Sequence, residues 1–512
     1  MNLLKTLSAI SSMTMLSRIT GLLRETLIAR AFGAGGMTDA YVVAFRIPNL
    51  LRRLFAEGAF SQAFVPILAE YKNKQGQEAS KHLVDHVANT LVWTTLIVTV
   101  VGMIASPLLI YLIASGLEEF DAAVWMTRLM FPYICFMAFV AMAGGVLNTW
   151  REFKIPAFTP VLLNLSSILA SLFLQQHLER PIYAMAIAVF VGGVLQVAIQ
   201  IPALVRIGML PRLSWNPAAG MGDPGVRRVL KKMGPAVFAV SAAQISLMIN
   251  TSIASRLAEG SISWLSYADR LMEFPTALLG VALGTILLPS LSKAKADEDQ
   301  QEYSDLLDWG LRLTFLLALP AAVGLAVLAE PMIATLFHYG AFTDEAARQS
   351  ARPLIAYCVG LLGIILVKTL APAFYAQQNI RTPVRIATGV LVATQLMNIV
   401  FVPYLQVAGL ALSIGLGACL NASLLYVGLR RRDIYRPQPG WPLFCLKLVA
   451  ACGLMAGAAW YGSQQIDWIG LQHHAFLRLG ALLLLVGACG AVYFAALLAM
   501  GFRLRNFKRI AR

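Results

Sequence analysis

The chain has 512 residues, of which 58% are hydrophobic and 13% charged, and its mean hydropathy is +0.69. A water-soluble protein of this composition could not cover its apolar surface, and apolar runs of about 20 residues recur along the whole length. The composition excludes a soluble enzyme with a single anchor and predicts an all-α polytopic membrane protein.

The net charge of +15 and the pI near 9.7 would also fit a nucleic-acid-binding protein. However, Lys and Arg lie in loops between apolar segments, and no polar domain is present to carry a basic patch, so we predict no nucleic-acid partner. The six cysteines lie in apolar segments without CxxC spacing and are interpreted as buried small hydrophobes. Since no metal-ligand, nucleotide-binding or nucleophile motif occurs, we predict no cofactor and no enzymatic activity.

Hydropathy and turn signals predict about fourteen transmembrane helices. The predicted spans are residues 9–31, 38–69, 84–114, 125–149, 157–175, 182–205, 233–256, 262–290, 307–336, 352–376, 383–402, 406–429, 441–462 and 476–500. They predict a domain order of N-terminal lobe 1–205, basic connector 206–232, C-terminal lobe 233–430, and residues 431–512 with two further helices and a basic tail.

Lys and Arg are concentrated in every second loop and in the C-terminal tail, which predicts that both termini are cytoplasmic. The opposite loops hold only a few basic residues, which are Arg180, Arg256, Arg348, Arg352 and Arg478.

The first two spans carry charges that are costly in hydrocarbon, roughly 2.5–3.5 kcal/mol each at the bilayer centre, so these side chains are expected to face a bundle interior or a wet cavity. In the first span, Arg24 shares a helix face with Ser17 and Gly21, with Arg18 and Glu25 beside it. Four apolar residues recur as a stripe that is expected to face lipid: Leu16, Ile19, Leu23 and Leu27. In the second span, four charged residues are separated by seven, seven and four positions and therefore lie on one helix face, together with Asn49: Asp39, Arg46, Arg53 and Glu57.

Two alternatives remain open for these charges. The outer members of the set could snorkel from a helix end, and Asp39 could simply cap a helix behind Thr38. Pro48 is expected to interrupt the second helix.

A weak internal repeat suggests two related lobes. The segment from Ala59, AFSQAFVPILAEYKNKQ, aligns without gaps with the segment from Ala282, ALGTILLPSLSKAKADE. Six predicted spans separate the copies, so both have the same orientation, as in parallel-repeat transporters. The alternative is chance similarity between two apolar helices that end in Pro-x-Leu.

The second copy carries its own charges within predicted spans. Asp269 and Arg270 lie within one turn of Glu273, so local ion pairing would lower the cost of burial. We assign the two carboxylates a supporting role that holds Arg270 in place. Lys368, in the tenth span, either lines the same cavity or snorkels. A cavity lined mainly by arginine selects anions, because the guanidinium matches phosphate oxygens in bidentate geometry.

At these residues the chain resembles the MurJ (MviN) lipid II flippases of the multidrug/oligosaccharidyl-lipid/polysaccharide exporter superfamily. The resemblance covers essentially the whole chain and is carried by three runs: SSMTMLSRITGLLRETLIARAFGAGGMTDAYVVAFRIPNLLRRLFAEGAFSQAFVPILAEY, SWLSYADRLMEFPTALLGVALGTILLPSLS and QLMNIVFVPYLQVAGLALSIGLGACLNASLLY. It implies fourteen helices in two six-helix lobes, with the last two helices forming a groove for an undecaprenyl tail.

The resemblance also implies a function. It implies that lipid-linked peptidoglycan precursor is moved from the cytoplasmic to the periplasmic leaflet of a bacterial inner membrane, with membrane lipids and other cell-wall synthesis proteins as further partners. By this similarity Asp39 matches a carboxylate near an outer gate, and four residues match the family's cavity arginines: Arg18, Arg24, Arg52 and Arg270. Some relatives bind sodium through a carboxylate on the seventh helix, but residues 233–256 contain none.

The leading hypothesis is therefore a lipid II flippase that works by alternating access. The alternative is a cation-coupled multidrug exporter, or an exporter of another polyprenyl-linked oligosaccharide, on the same fold. A drug exporter would be expected to place carboxylates where this chain has arginine. A membrane scaffold, the third reading, would have no reason to keep such costly charges.

Overall fold

The computed structural model describes residues 3–52 and 59–502. Within these ranges the following side chains lie outside the description: 3–12, 14, 51, 52, 59, 62, 235, 236, 238–243, 281, 282 and 284–286. Within these ranges every regular element is a helix, which confirms the all-α class. Ten helical stretches of the described residues, one of them made of two consecutive α-helices (Phe120–Thr149), are long and apolar enough to cross a membrane. They overlap predicted spans three to six and nine to fourteen. The total of fourteen spans stays a prediction.

The chain forms two compact units, residues 1–262 and 263–512. The helices of the first unit are α1 (Leu3–Phe32), α2 (Gly36–Arg52), α3 (Ala59–Lys74), α4 (Gly76–Ala114), α5 (Phe120–Met130), α6 (Tyr133–Thr149), α7 (Lys154–Leu169), α8 (Tyr183–Arg206) and α9 (Pro224–Ala254). Within this unit α9 packs against α3 and α4. The lobe boundaries and the pseudo-repeat inferred from the sequence stay predictions.

The second unit contains most of α10 (Ser261–Pro275), followed by α11 (Ala282–Ala296), α12 (Gln300–Val327), α13 (Ala329–Phe337), α14 (Asp344–Ala376), α15 (Arg381–Leu405), α16 (Val407–Arg431), α17 (Trp441–Gln464) and α18 (Ala475–Ala499). The predicted ninth span, residues 307–336, is thus two helices that meet at Leu328.

The helix α9 begins earlier than the sequence predicted, inside the basic connector. The side chain of Asp223 caps it by accepting hydrogen bonds from Gly225 N at 2.8 Å and Val226 N at 3.1 Å. Pro224 follows at the first helical position, where its missing N–H costs nothing. Residues 224–232 are consequently helical.

The rest of the connector is held along α4. Asp85 accepts from Arg212 N at 2.8 Å, Asn89 accepts from Ser214 N at 3.0 Å, and the indole of Trp93 donates to Ser214 O at 2.9 Å. These three side chains recur every four residues and therefore share one face of α4. The connector is an ordered strap within the first unit.

Two charged helices contain a proline, one in its interior and one at its last residue. Pro48 does not end α2, which continues to Arg52, so the predicted interruption is a proline within a continuous helix. Its neighbours Ala44 and Ile47 are buried, and tertiary packing of this kind offsets one lost backbone hydrogen bond. Pro275 ends α10, and a π-helical segment, Thr276–Val281, leads into α11. Such π-helical turns are frequent at functional sites.

Candidate functional site

The polar face of α1 packs against α7 through one asparagine. Arg24 Nη1 donates to Asn164 Oδ1 at 3.0 Å, and Asn164 Nδ2 donates to Ser17 O and to Thr20 Oγ1, both at 3.1 Å. Gly21 lies against the same asparagine, since a Cβ there would be in ordinary van der Waals contact with Asn164 Nδ2 at 3.6 Å. The face predicted from Ser17, Gly21 and Arg24 is therefore the face that contacts α7.

The guanidinium of Arg24 is paired with a carboxylate, and one of its N–H groups has no hydrogen-bond partner among the described residues. Its Nη2 lies 2.5 Å from Glu25 Oε1, and both side chains are 15% exposed. The Nε of Arg24 is buried without a hydrogen-bond partner among the described residues. Arg18, one turn earlier, is exposed. Three members of the predicted apolar stripe are exposed and the fourth, Leu27, is half-buried: the exposed ones are Leu16, Ile19 and Leu23. Exposed leucines are expected on a helix surrounded by lipid.

The charged face of α2 contacts α9. Arg46 Nη1 donates to Thr251 Oγ1 and to Leu247 O, the latter at 3.4 Å. Asn49 is half-buried one turn further along. The remaining predicted members of this face are not tested: the side chain of Arg52 and all of Arg53 and Glu57 lie outside the described residues.

Two hydrogen bonds join the start of α2 to the loop that precedes α10. In each of them a carboxylate of one segment accepts from a backbone N–H of the other. Gly36 N donates to Glu259 Oε1 at 2.7 Å, and Asp39 Oδ2 accepts from Gly260 N at 2.9 Å. The first contact places an anion at the N-terminus of α2, where the helix dipole favours it. Asp39 is only 4% exposed and bonds to another segment, so it does more than cap its own helix. We call these two contacts the reciprocal clamp.

Loss of the Asp39 carboxylate should destabilise the protein. In Asp39→Ala the buried Gly260 N–H loses its acceptor, which costs about 1–3 kcal/mol. Asp39→Asn keeps an acceptor oxygen and should cost less. Thermal unfolding of the purified variants measures the difference, with Asp121→Ala as the control because Asp121 is an exposed carboxylate in the first turn of α5. An unchanged unfolding temperature for Asp39→Ala would contradict a stabilising clamp.

In the second unit, Arg270 Nη1 lies 3.3 Å from Glu273 Oε2, so the local ion pair anticipated on α10 is present. Asp269 is half-buried, whereas the paired side chains of Arg270 and Glu273 are 37% and 53% exposed. Lys368 packs its stem against the π-helical segment, because a Cβ on Gly280 would lie 2.6 Å from Lys368 Cδ. The lysine is half-buried on α14, beside the segment that follows Pro275.

One cation lies elsewhere than predicted. Arg478, assigned to an outer loop, is fully buried in the first turn of α18. Its guanidinium donates to Trp468 O and to His338 O, both at 2.9 Å, and its centre lies 4.6 Å from the ring of Tyr339. Arg478 is the third residue of a predicted span. From the sequence alone, an arginine at such a position could equally be buried or extend its side chain to the membrane surface.

Three other residues were missed. Asn164 was not singled out from the sequence, although a polar side chain within a predicted span is itself a signal. Thr251 and Glu259 carry no signal, because their partners, Arg46 and Gly36, are about 200 residues away in the sequence.

Within each unit, ionisable side chains of the helices pair with one another or with backbone groups. Such residues are rare in membrane helices, and where they occur they mark substrate pathways. Together with the multi-helix fold, they define a polytopic membrane transporter. The family model for MurJ, described as lipid II flippase MurJ, matches residues 28–479, and the chain belongs to this family.

The chain is 56% identical to a lipid II flippase MurJ of Burkholderia cenocepacia over 100% of both chains. It is 39% identical to a probable lipid II flippase MurJ of Vibrio cholerae, covering 99% of this chain and 98% of the relative.

Two solved structures share the fold. The structure titled lipid II flippase MurJ, inward closed conformation, matches with a TM-score of 0.78 at 24% identity, over 96% of this chain and 99% of that one. An inward-facing multidrug resistance MATE family transporter of the MOP superfamily matches with a TM-score of 0.68 at 17% identity, over 83% and 97%.

Proposed function

We propose that this chain is a flippase that moves lipid II, the undecaprenyl-diphosphate-linked peptidoglycan precursor, from the cytoplasmic to the periplasmic leaflet by alternating access. The observation that carries the proposal is full-length identity of 56% to a relative named as a lipid II flippase. The likeness to the MATE transporter concerns the fold alone, so the multidrug alternative is not favoured.

The diphosphate of the head group is the part of this substrate that arginine recognises. We propose that Arg18, Arg24, Arg52 and Arg270 bind it during the transport cycle. Arg24 supports this role best. Its buried Nε–H has no hydrogen-bond partner among the described residues, and the two Nη atoms of its guanidinium are held by Asn164 and Glu25. Arg270 has one carboxylate partner, Glu273 at 3.3 Å, in a more exposed ion pair than that of Arg24.

The remaining polar residues support these arginines. Arg46 connects α2 to α9, with Asn49 one turn further along; Arg53 and Glu57 extend the same face in the sequence. Asp39 belongs to the reciprocal clamp, which we propose as part of an outer gate. Asp269 and Lys368 complete the charged set of α10 and α14.

Depletion of the protein from living cells tests the function directly. Lipid II is expected to accumulate in the cytoplasmic leaflet, because its charged head group cannot cross hydrocarbon unaided. The leaflet distribution is measured by adding an enzyme that cleaves only precursor exposed to the periplasm. Cells re-expressing the protein from a plasmid are the control, and an unchanged distribution after depletion would contradict the proposal.

We further propose that the chain lies in the bacterial inner membrane with both termini in the cytoplasm, where it meets other cell-wall synthesis proteins. The basis is the excess of Lys and Arg in alternate loops and in the tail. A reporter active only in the periplasm should be inactive at the C-terminus and active when fused within residues 465–474, the segment between α17 and α18. The reverse pattern would contradict this orientation.

A further inference from the structure

An apolar pocket of about 450 Å³ lies in the second unit and is lined by none of the candidate site residues. Leu311 and Phe315 come from α12, Leu366 and other residues from α14, and Tyr426 with its neighbours from α16. At the ends of these helices Tyr435 and Trp441 line it too. The volume is within the range of pockets that hold an apolar ligand.

The pocket is open to the surroundings of the helices. Three of its lining residues are exposed: Val359, Ser423 and Val427. These helices are long and apolar enough to span the membrane, so the medium they meet is hydrocarbon. The ligand that can enter from that side is an acyl chain.

A basic segment is fixed at one end of the pocket. Residues 430–436 read RRRDIYR and carry a net charge of +3. Their position is set by buried Asp308 of α12, which accepts from Tyr435 Oη at 2.7 Å, from Trp441 Nε1 at 2.8 Å and from Gln438 N at 3.0 Å. The two side chains that line the pocket are thus tied to the segment that carries the charge.

The four arginines of this segment are exposed: Arg430, Arg431, Arg432 and Arg436. Arg432 donates to Thr382 Oγ1 at 2.9 Å, and Arg436 lies 3.4 Å from Asp433, with both side chains 77% exposed. An ion pair that exposed is weak and screened, so it leaves the segment positively charged.

We propose that the pocket binds one acyl chain of an anionic glycerophospholipid whose phosphate contacts the arginines of residues 430–436. An apolar pocket between membrane helices with a basic end has the chemistry of an anionic-lipid site. Arginine binds phosphate in bidentate geometry, and the net positive charge disfavours a head group that carries its own ammonium. This lipid is a second ligand, separate from the transported substrate.

Photolabelling of the purified full-length protein in nanodiscs tests the proposal without a transport assay. The probes are a phosphatidylglycerol and a phosphatidylethanolamine that carry the same diazirine-bearing acyl chain. The anionic probe should label the peptides of residues 355–370 and 415–429 severalfold more than the zwitterionic probe. Ser423→Leu, at an exposed position that lines the pocket, should reduce labelling by both probes.

A charge variant and a matched control separate the head group from the acyl chain. The test variant, which should abolish the preference for the anionic probe, combines Arg430→Gln, Arg431→Gln and Arg436→Gln. The control removes three exposed cations of the first unit and should leave the preference intact: Arg206→Gln, Lys231→Gln and Lys232→Gln.

Four results would overturn the proposal. The first two are equal labelling by the two probes and a preference for the anionic probe that survives the triple arginine variant. The third is loss of label when a polyprenyl diphosphate is added, and the fourth is increased label in a chain truncated after Phe502. The third result would assign the pocket to the substrate's tail, and the fourth to the chain's own basic C-terminal segment.

Discussion

Arg24→Ala is expected to reduce lipid II transport at least tenfold. Each hydrogen bond between a guanidinium and a charged oxygen contributes about 1.5–3 kcal/mol, and a loss of 1.4 kcal/mol already lowers an equilibrium constant tenfold. Arg24→Lys keeps the charge but cannot reproduce the fork that engages Asn164 and Glu25, so it should recover only part of the activity.

The assay is complementation of depleted cells together with the leaflet distribution of lipid II, at matched expression levels. Arg30→Ala is the control, because Arg30 is exposed in the last turn of the same helix. Asn164→Ala adds a second test: if Asn164 only positions the guanidinium, this variant should be milder than Arg24→Ala. Full transport by normally expressed Arg24→Ala would remove the arginine from the proposed diphosphate site.

Arg478→Ala is expected to lower stability by about 3–5 kcal/mol, since it leaves two buried carbonyls and the ring of His338 without their donor. Arginine only donates, so in the 3.3 Å contact with Arg478 Nη1 the acceptor is His338 Nδ1. The other ring nitrogen then carries the hydrogen, and His338 Nε2–H donates to Asp344 Oδ1 at 2.8 Å. The single substitution therefore disturbs a chain of contacts from α18 to the start of α14.

Thermal unfolding of the purified protein measures this effect. Arg478→Lys should be intermediate, because one ammonium cannot reach both Trp468 O and His338 O in the same geometry. Arg348→Ala is the control, since Arg348 is an exposed arginine of α14. If Arg478→Ala unfolded at the wild-type temperature, the buried network would not stabilise the second unit.

Both predictions concern arginines within helices, and the sequence distinguished them only in part. Arg24 and Arg270 stood out because they interrupt apolar runs, and their carboxylate neighbours, Glu25 and Glu273, lie one and three residues away. Arg478 has no charged residue nearby in the sequence. Its burial depends on His338, which is 140 positions away.

The sequence by itself determined the helical class, ten of the spans and the family. The reason is that helix formation in a membrane depends on local apolar length and on satisfying backbone groups within one segment. Only the tertiary structure decided which polar groups meet. The contact of Arg24 with Asn164 and the reciprocal clamp of Asp39 and Glu259 join segments 140 to 223 residues apart. Such pairings follow from how helices pack, and hydropathy and spacing within one segment contain no information about them.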